Sequence, residues 1–266
     1  MHTHIGWLQK SLIRYSQYYS SRVVGYDRKD ELLQAIILAG GKGTRLKPFT
    51  NAIPKPLVPI GDMPILEVVL RQLRYYGVTD VIIAVNHLAR LIEAFFGNGE
   101  ELGLRISYSM EDKVLGTAGP LGLLKDLEED FLVMNGDLLT TIDFADFFRF
   151  HRENSCEASI ATFKKEVKID LGVLEVDGTM FKDYIEKPTY NYVVSMGIYI
   201  LSKRVLQFIP QDRKFDMPDL MLALKGAGAG IQCYAGNYDW LDIGRIEDYQ
   251  GAVELFENNR QKYLPQ

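Results

Sequence analysis

The chain has 266 residues, 47% of them hydrophobic and 24% charged, with a formal net charge of −5, a balance that suits one α/β domain of ordinary size. Net acidity argues against a nucleic-acid partner, because affinity for a phosphate backbone comes from clustered Lys and Arg, and no apolar run approaches the roughly eighteen residues of a membrane span, so no membrane partner is expected. Cys156 and Cys233 are too few and too far apart for a disulfide framework and read as buried free thiols of a cytoplasmic protein.

In chain order, Met1 to Ser21 places Ile5, Leu8, Leu12 and Tyr15 at helical spacing, so residues 1–34 read as a helical N-terminal segment distinct from the domain over 35–266. Its apolar stripe must pack, either on the domain or on a second subunit, which keeps a homo-oligomer open. Ala35 to Leu38 is a short apolar run, the pattern of a strand covered on both faces in a parallel sheet. Gly40, Gly41 and Gly43 follow, where a missing Cβ lets backbone amides approach an anion. Arg45, Lys47 and Lys55 add cations within reach of that loop. The Walker A pattern has no match here, and a dinucleotide fingerprint begun at Gly41 and Gly43 finds Leu46 where its third glycine belongs.

Pro64 to Tyr76 reads as a helix stopped by Gly77, Val81 to Val85 as a buried strand, Leu88 to Phe96 as a helix stopped by Gly97, and Arg105 to Ser109 as a strand. That alternation is the rhythm of a parallel sheet between helix layers, whose ligands gather at the carboxyl ends of strands. The glycine-bearing loop from Glu111 to Pro120 falls at such an end. Thr117 there reads equally well as the N-cap of a helix over Pro120 to Leu127. Phe131 to Met134 is a further strand, followed by Asn135-Gly136-Asp137; the second acid in this setting comes from Trp240-Leu241-Asp242-Ile243-Gly244. One or two carboxylates at a phosphate site is how Mg²⁺ is usually held, although each acid also fits a simple turn cap. Asp177-Gly178 marks a hairpin ahead of Tyr184 to Pro188, and the stretch from Phe215 reads as helix, strand over Gln232 to Tyr234, and closing helix over Arg245 to Asn258. His87 and His151 read as solvent-facing or core residues.

The run Leu38-Ala39-Gly40-Gly41-Lys42-Gly43-Thr44-Arg45-Leu46, then Pro48 and Pro54-Lys55-Pro56, resembles the signature of the sugar-1-phosphate nucleotidyltransferases, and mannose-1-phosphate guanylyltransferase-type members most of all through Leu115 to Leu121. The resemblance implies a three-layer α/β/α, Rossmann-like nucleotide-diphospho-sugar transferase fold with a predominantly parallel mixed sheet. It implies nucleotide contacts at Leu38, Ala39, Gly40, Gly41, Gly43, Thr44, Arg45, Gly116 and Thr117, and catalytic roles for Arg45, Lys55, Asp137 and Lys187. By the same likeness Asp137 and Asp242 are the Mg²⁺ pair, and Gly136, Gly172, Glu186, Lys187 and Ser195 take the sugar phosphate.

The implied reaction is NTP plus sugar-1-phosphate to NDP-sugar plus pyrophosphate, with GTP and a mannose- or heptose-type sugar favoured. UTP with glucose-1-phosphate and a non-catalytic NDP-sugar sensor remain alternatives. Two departures bear on the sugar: Leu171 stands where many members have Tyr, and Ser195-Met196-Gly197 replaces Asn-Ala-Gly. Asp137-Leu138-Leu139 is not the DxD of glycosyltransferases, which weakens that reading. No hexapeptide repeat is visible, so the left-handed β-helix of some relatives is not expected.

Overall fold

The computed structural model describes residues 33–41, 43–86 and 88–265. The helix expected over residues 1–21, together with Lys42 and His87, lies outside them. Seven strands make the central sheet: β1 (Leu33–Leu38), β2 (Val78–Val85), β3 (Arg105–Met110), β4 (Asp130–Asn135), β5 (Ala158–Lys168), β6 (Thr189–Ser202) and β7 (Ile231–Ala235). Their order is β7-β5-β6-β4-β1-β2-β3, and all run parallel except β6, which is antiparallel to both neighbours. The sheet is therefore mixed and mainly parallel, as expected.

Alternation along β1 sends Ile37 to one face and Ile36 to the other, and each meets its own apolar layer. On the first face Leu66, Val69, Leu70 and Leu73 of α1 (Ile65–Tyr75), Ile92 of α2 (Ala89–Phe96) and Phe144, Phe147 and Phe148 of α3 (Phe144–Asn154) pack against the strands. On the second, Leu220 and Leu224 of α4 (Met217–Gly226) join Ile36, Val133 and Leu201. A third cluster, with Ala252 and Phe256 of α5 (Ile246–Asn258), buries Leu46, Val58 and Ile243 beneath the glycine-rich loop. The helices sit where their apolar faces require, giving three layers.

Chain order runs from β1 outward to β2 and β3 on one side, while β4 pairs on the other. The carboxyl ends of β1 and β4 therefore border the crevice at which the order reverses, the usual ligand position in open sheets. Among the described residues no helix is long and apolar enough to cross a membrane.

Three local expectations are corrected. No α-helix covers Pro120 to Leu127; a 3-10 turn over Gly119–Leu123 gives way to extended backbone at Leu124, because Gly119 and Gly122 weaken a segment already too short to persist. Thr117 does not cap that segment: its Oγ1 accepts from the backbone N of Met217 at 2.7 Å, at the start of α4. Cys233 is exposed on the edge strand β7, whereas Cys156 is buried. His151 is a core residue, its Nδ1 2.9 Å from Ser159 Oγ.

The hairpin of Val173–Asp177 with Met180–Ile185 forms as its Asp177-Gly178 turn foretells, yet every residue of it except Val173 is exposed. Phe147→Ala, emptying a fully buried site, should lower unfolding free energy by about 3–5 kcal/mol in urea titration. Phe181→Ala on the exposed hairpin should change it by no more than about 0.5 kcal/mol.

Candidate active site

β1 ends at Leu38, and the chain turns over the sheet edge through Ala39, Gly40 and Gly41 into a 3-10 turn over Thr44–Leu46. Gly43 has φ of +60°, and a Cβ there would stand 2.8 Å from Thr50 Cγ2 and 3.1 Å from Lys55 Cβ. Both conformation and space demand glycine at this point. Thr50 Oγ1 donates to the Gly43 carbonyl at 2.7 Å and fixes the turn. Pro54 holds extended backbone ahead of the short 3-10 turn Lys55–Leu57, which presents Lys55 beneath the loop.

Asp137 follows β4, and the ladder pairing Leu138–Thr140 with Trp240–Asp242 brings Asp242 to the same place by setting it opposite Leu138. Lys55 Nζ is in direct contact with Asp137 Oδ2 and lies 4.0 Å from Asp242 Oδ1. The Lys55 and Asp137 side chains are 12% and 17% exposed, so this is a nearly buried pair. Burial first, and then the charge of Asp137, push the Asp242 carboxyl above its ordinary range, with Lys55 and Arg45 opposing. A carboxylate raised by a second one beside it marks a place where a cation lowers the free energy.

The far wall is stitched from segments distant in sequence. Thr117 N donates to Asp216 Oδ1 at 3.1 Å, Met217 N donates to Thr117 Oγ1, and the backbone nitrogens of Ala118 and Gly119 both donate to the Phe215 carbonyl at 3.0 and 2.9 Å. Gly116 has φ of +84° and a Cβ there would lie 2.6 Å from the Phe215 carbonyl oxygen. Between these walls lies a cleft of about 440 Å³ lined by Leu38, Ala39, Gly40, Gly41, Gly43, Thr44, Arg45, Lys55, Gly116, Thr117 and Asp137 among the expected residues.

The remaining expected residues stand outside that wall. Gly136 packs against Ile37 beside it, its nitrogen donating to the Leu38 carbonyl at 3.1 Å. Glu186 and Lys187 are exposed beyond the hairpin, Glu186 accepting from Tyr184 Oη at 2.9 Å and Lys187 holding φ of +42°. Gly172 lies directly under the Tyr184 ring, and Ser195 Oγ is 2.9 Å from Tyr199 Oη. Sequence reasoning missed Asn86, Glu111, Val114, Asn135, Lys214 and Asp216, which with Pro56 and Gly244 complete the lining. Asn86 and Glu111 could have been found from their position just past the ends of β2 and β3; Lys214 and Asp216 carry no such signal.

Residues 34–259 match the family model described as nucleotidyl transferase. The chain belongs to that family. It is 34% identical over 242 residues to a UTP–glucose-1-phosphate uridylyltransferase of Synechocystis sp., covering 83% of this chain and 62% of that protein, so it spans less than two thirds of that relative's length. It is 35% identical over 243 residues to mannose-1-phosphate guanyltransferase beta-A of Xenopus laevis, covering 87% of this chain and 67% of that one. Among solved structures, HddC from Yersinia pseudotuberculosis superposes with a TM-score of 0.65 at 27% identity over 85% of this chain and all of that one. The same protein complexed with GMP-PN gives 0.63 at 26% identity, with 85% of this chain and 100% of that one covered.

Exchanging the two acids should move stability in opposite directions. Asp137→Asn strands the nearly buried Lys55 and should lower unfolding free energy by about 3 kcal/mol. Asp242→Asn removes a carboxyl whose raised pKa makes its ionised form a burden at neutral pH. That variant should match or exceed the wild type in urea at pH 7, the advantage vanishing below about pH 4 where Asp242 is protonated in both folded and unfolded chains.

Proposed function

We propose that residues 35–266 carry a sugar-1-phosphate nucleotidyltransferase that joins GTP to a mannose- or heptose-type sugar-1-phosphate, releasing pyrophosphate, with Mg²⁺ as cofactor and the cytoplasm as its place of work. One observation carries this reading: Gly40, Gly41, Gly43, Thr44 and Arg45 of the loop line a single cleft with Lys55 and Asp137, and Asp242 stands just behind that lining with its Oδ1 4.0 Å from Lys55 Nζ. A polyanion there meets backbone amides, two cations and a pair of metal-competent carboxylates. The names of the guanyltransferase relatives and the GMP-PN complex of HddC favour GTP. The Synechocystis relative favours UTP with glucose-1-phosphate as the second reading.

The donor set fits Mg²⁺. Among the described residues no group of three or more His, Cys, Asp or Glu is placed to hold a metal, and the two carboxylates of Asp137 and Asp242 are the number that Mg²⁺ takes at a phosphate site, so they would hold the ion together with substrate phosphate and water. Bound there, the ion would neutralise charge developing on the phosphate oxygens.

The chain's own residues have a positioning task. The sugar-1-phosphate oxygen attacks the α-phosphorus, the new P–O bond forms, and the bond to the β-phosphate oxygen breaks with its electron pair leaving on pyrophosphate. The attacking oxygen is already ionised at neutral pH, so no general base is needed. The loop amides hold the triphosphate in line, Arg45 and Lys55 draw charge toward the leaving phosphates, and Lys187 is the cation for the incoming sugar phosphate. Lys55 exchanges its carboxylate partner for phosphate as substrate arrives.

Pyrophosphate release should be assayed with Mg²⁺ across GTP, UTP, dTTP, CTP and ATP against mannose-, glucose- and heptose-1-phosphates. The expected result is GTP-dependent release with a mannose- or heptose-type partner. Silence across the matrix alongside measurable NDP-sugar binding would contradict the enzyme reading and favour a sensor. Activity should also require more Mg²⁺ as pH falls, because protons compete for Asp242, whose pKa is raised.

A further inference from the structure

On its second face the sheet is only partly covered. Leu220 and Leu224 of α4 join residues of β1, β4 and β6 there, but among the described residues β2 gives that layer Ile82 alone and β3 gives it nothing. Parallel register sets Gln34, Asp80 and Arg105 side by side across β1, β2 and β3, with Ile36, Ile82 and Ser107 in the next row on the same face. A cavity of about 260 Å³ opens at this bare corner, with Lys125 and Asp126 in its wall. It shares no lining residue with the active-site cleft, and Gln34 stands about 16 Å along the strand from Ala39 of that cleft.

Gln34 is only 8% exposed, and its amide is fixed in orientation because Oε1 accepts from the Glu128 backbone nitrogen at 3.0 Å. Its Nε2 makes no hydrogen bond among the described residues. The one fully enclosed side-chain polar atom left unpartnered among them is Gln72 Oε1, so Gln34 Nε2 keeps an opening, and the cavity that Gln34 lines supplies it. The side chains of Ser107, Lys125 and Asp126 are exposed and have no hydrogen-bond or ion-pair partner among the described residues. Asp80 and Arg105, by contrast, satisfy one another, Nε donating to Oδ1 at 2.7 Å and Nη2 to Oδ2.

We infer that this second cavity binds a neutral polyhydroxylated ligand, a single sugar ring. Its charges cancel locally, Arg105 against Asp80 and Lys125 against Asp126, so nothing in it selects a net charge. The free polar groups are of both kinds: Gln34 Nε2 and Lys125 donate, Asp126 accepts, and Ser107 does either. Adjacent ring hydroxyls answer both kinds at once, and Ile82 between the polar rows gives ring C–H groups an apolar floor. A phosphate would be repelled by Asp126, and an apolar ligand would strand the Gln34 amide. At about 260 Å³ the cavity falls below the roughly 300–1,000 Å³ of drug-sized sites, which suits one ring and excludes a nucleotide. The inference stands apart from the reaction proposed for the cleft.

Methyl α-mannoside and methyl α-glucoside, which carry no phosphate for the cleft to hold, would be titrated into the full chain and followed by the backbone amide signals in NMR, with inorganic phosphate as the charged comparison. At least one glycoside should bind with a Kd of about 1–10 mM, the order expected of about a dozen non-hydrogen atoms. The signals that move should be those of Gln34, Asp80, Ser107, Lys125 and Asp126, with the loop from Gly40 to Arg45 unmoved. Ser107→Ala and Asp126→Ala, at exposed positions with no partner to lose, should each weaken binding by about three- to tenfold, the size of one lost hydrogen bond. Gln34→Met should abolish it; since that change also removes the acceptor for Glu128, the two exposed variants decide the matter if it fails to fold. No glycoside binding well above the expected range, affinity unchanged in Ser107→Ala and Asp126→Ala, or shifts confined to the Gly40–Arg45 loop would overturn the inference. So would phosphate binding in place of the glycosides, lost in Lys125→Ala, which would make this an anion site.

Discussion

The contact between Lys55 and Asp137 is the interaction on which the site depends. Lys55 comes from a short 3-10 turn after the glycine-rich loop, and Asp137 from the carboxyl end of β4, so one ion pair ties loop to sheet. Its neighbours are set by it: Gly43 must be glycine partly because the Lys55 stem passes close by, and Asp242 is held within reach of the same ammonium. With both partners nearly buried, neither charge can be left alone without penalty. On the proposed reading, the lysine holds the place of charge that substrate phosphates and a divalent cation redistribute on binding.

Burial pattern and topology put that pair where it is. β1 is covered on both faces, and the reversal of strand order beside it opens a crevice that no helix among the described residues fills. The opposite wall is made by backbone and cap bonds between the Leu115–Gly119 segment and Phe215 to Met217, which lock the start of α4 against the loop. The cleft is thus fixed on both sides by the core, whereas the hairpin that leads to Glu186 and Lys187 projects from it.

Much of this was legible in the sequence wherever chemistry is punctuated locally. Ala35 to Leu38 followed by three glycines, and the two acids each set after an apolar run, identify strand ends without knowledge of the fold. The sheet rhythm was readable for the same reason. What escaped depends on contacts between distant segments. Thr117 has the look of an N-cap for the chain just after it, yet it caps α4, because only the folded sheet brings Phe215 to Met217 alongside. The apolar residues Leu121, Leu124 and Leu127 mimic helical spacing, and two glycines defeat it. The closeness of the Glu111 carboxyl to Gly40 is likewise visible only in the folded sheet.

The central claim is that Asp137 and Asp242 form one divalent-cation site with a bound triphosphate. It is tested most directly by titrating free Mn²⁺ in an electron paramagnetic resonance assay, with GTP present, against wild type, Asp137→Asn and Asp242→Asn. The expected result is about one Mn²⁺ per wild-type chain, bound more tightly than by GTP alone, and a return to the affinity of GTP alone in both variants. Undiminished Mn²⁺ binding in either variant would contradict it.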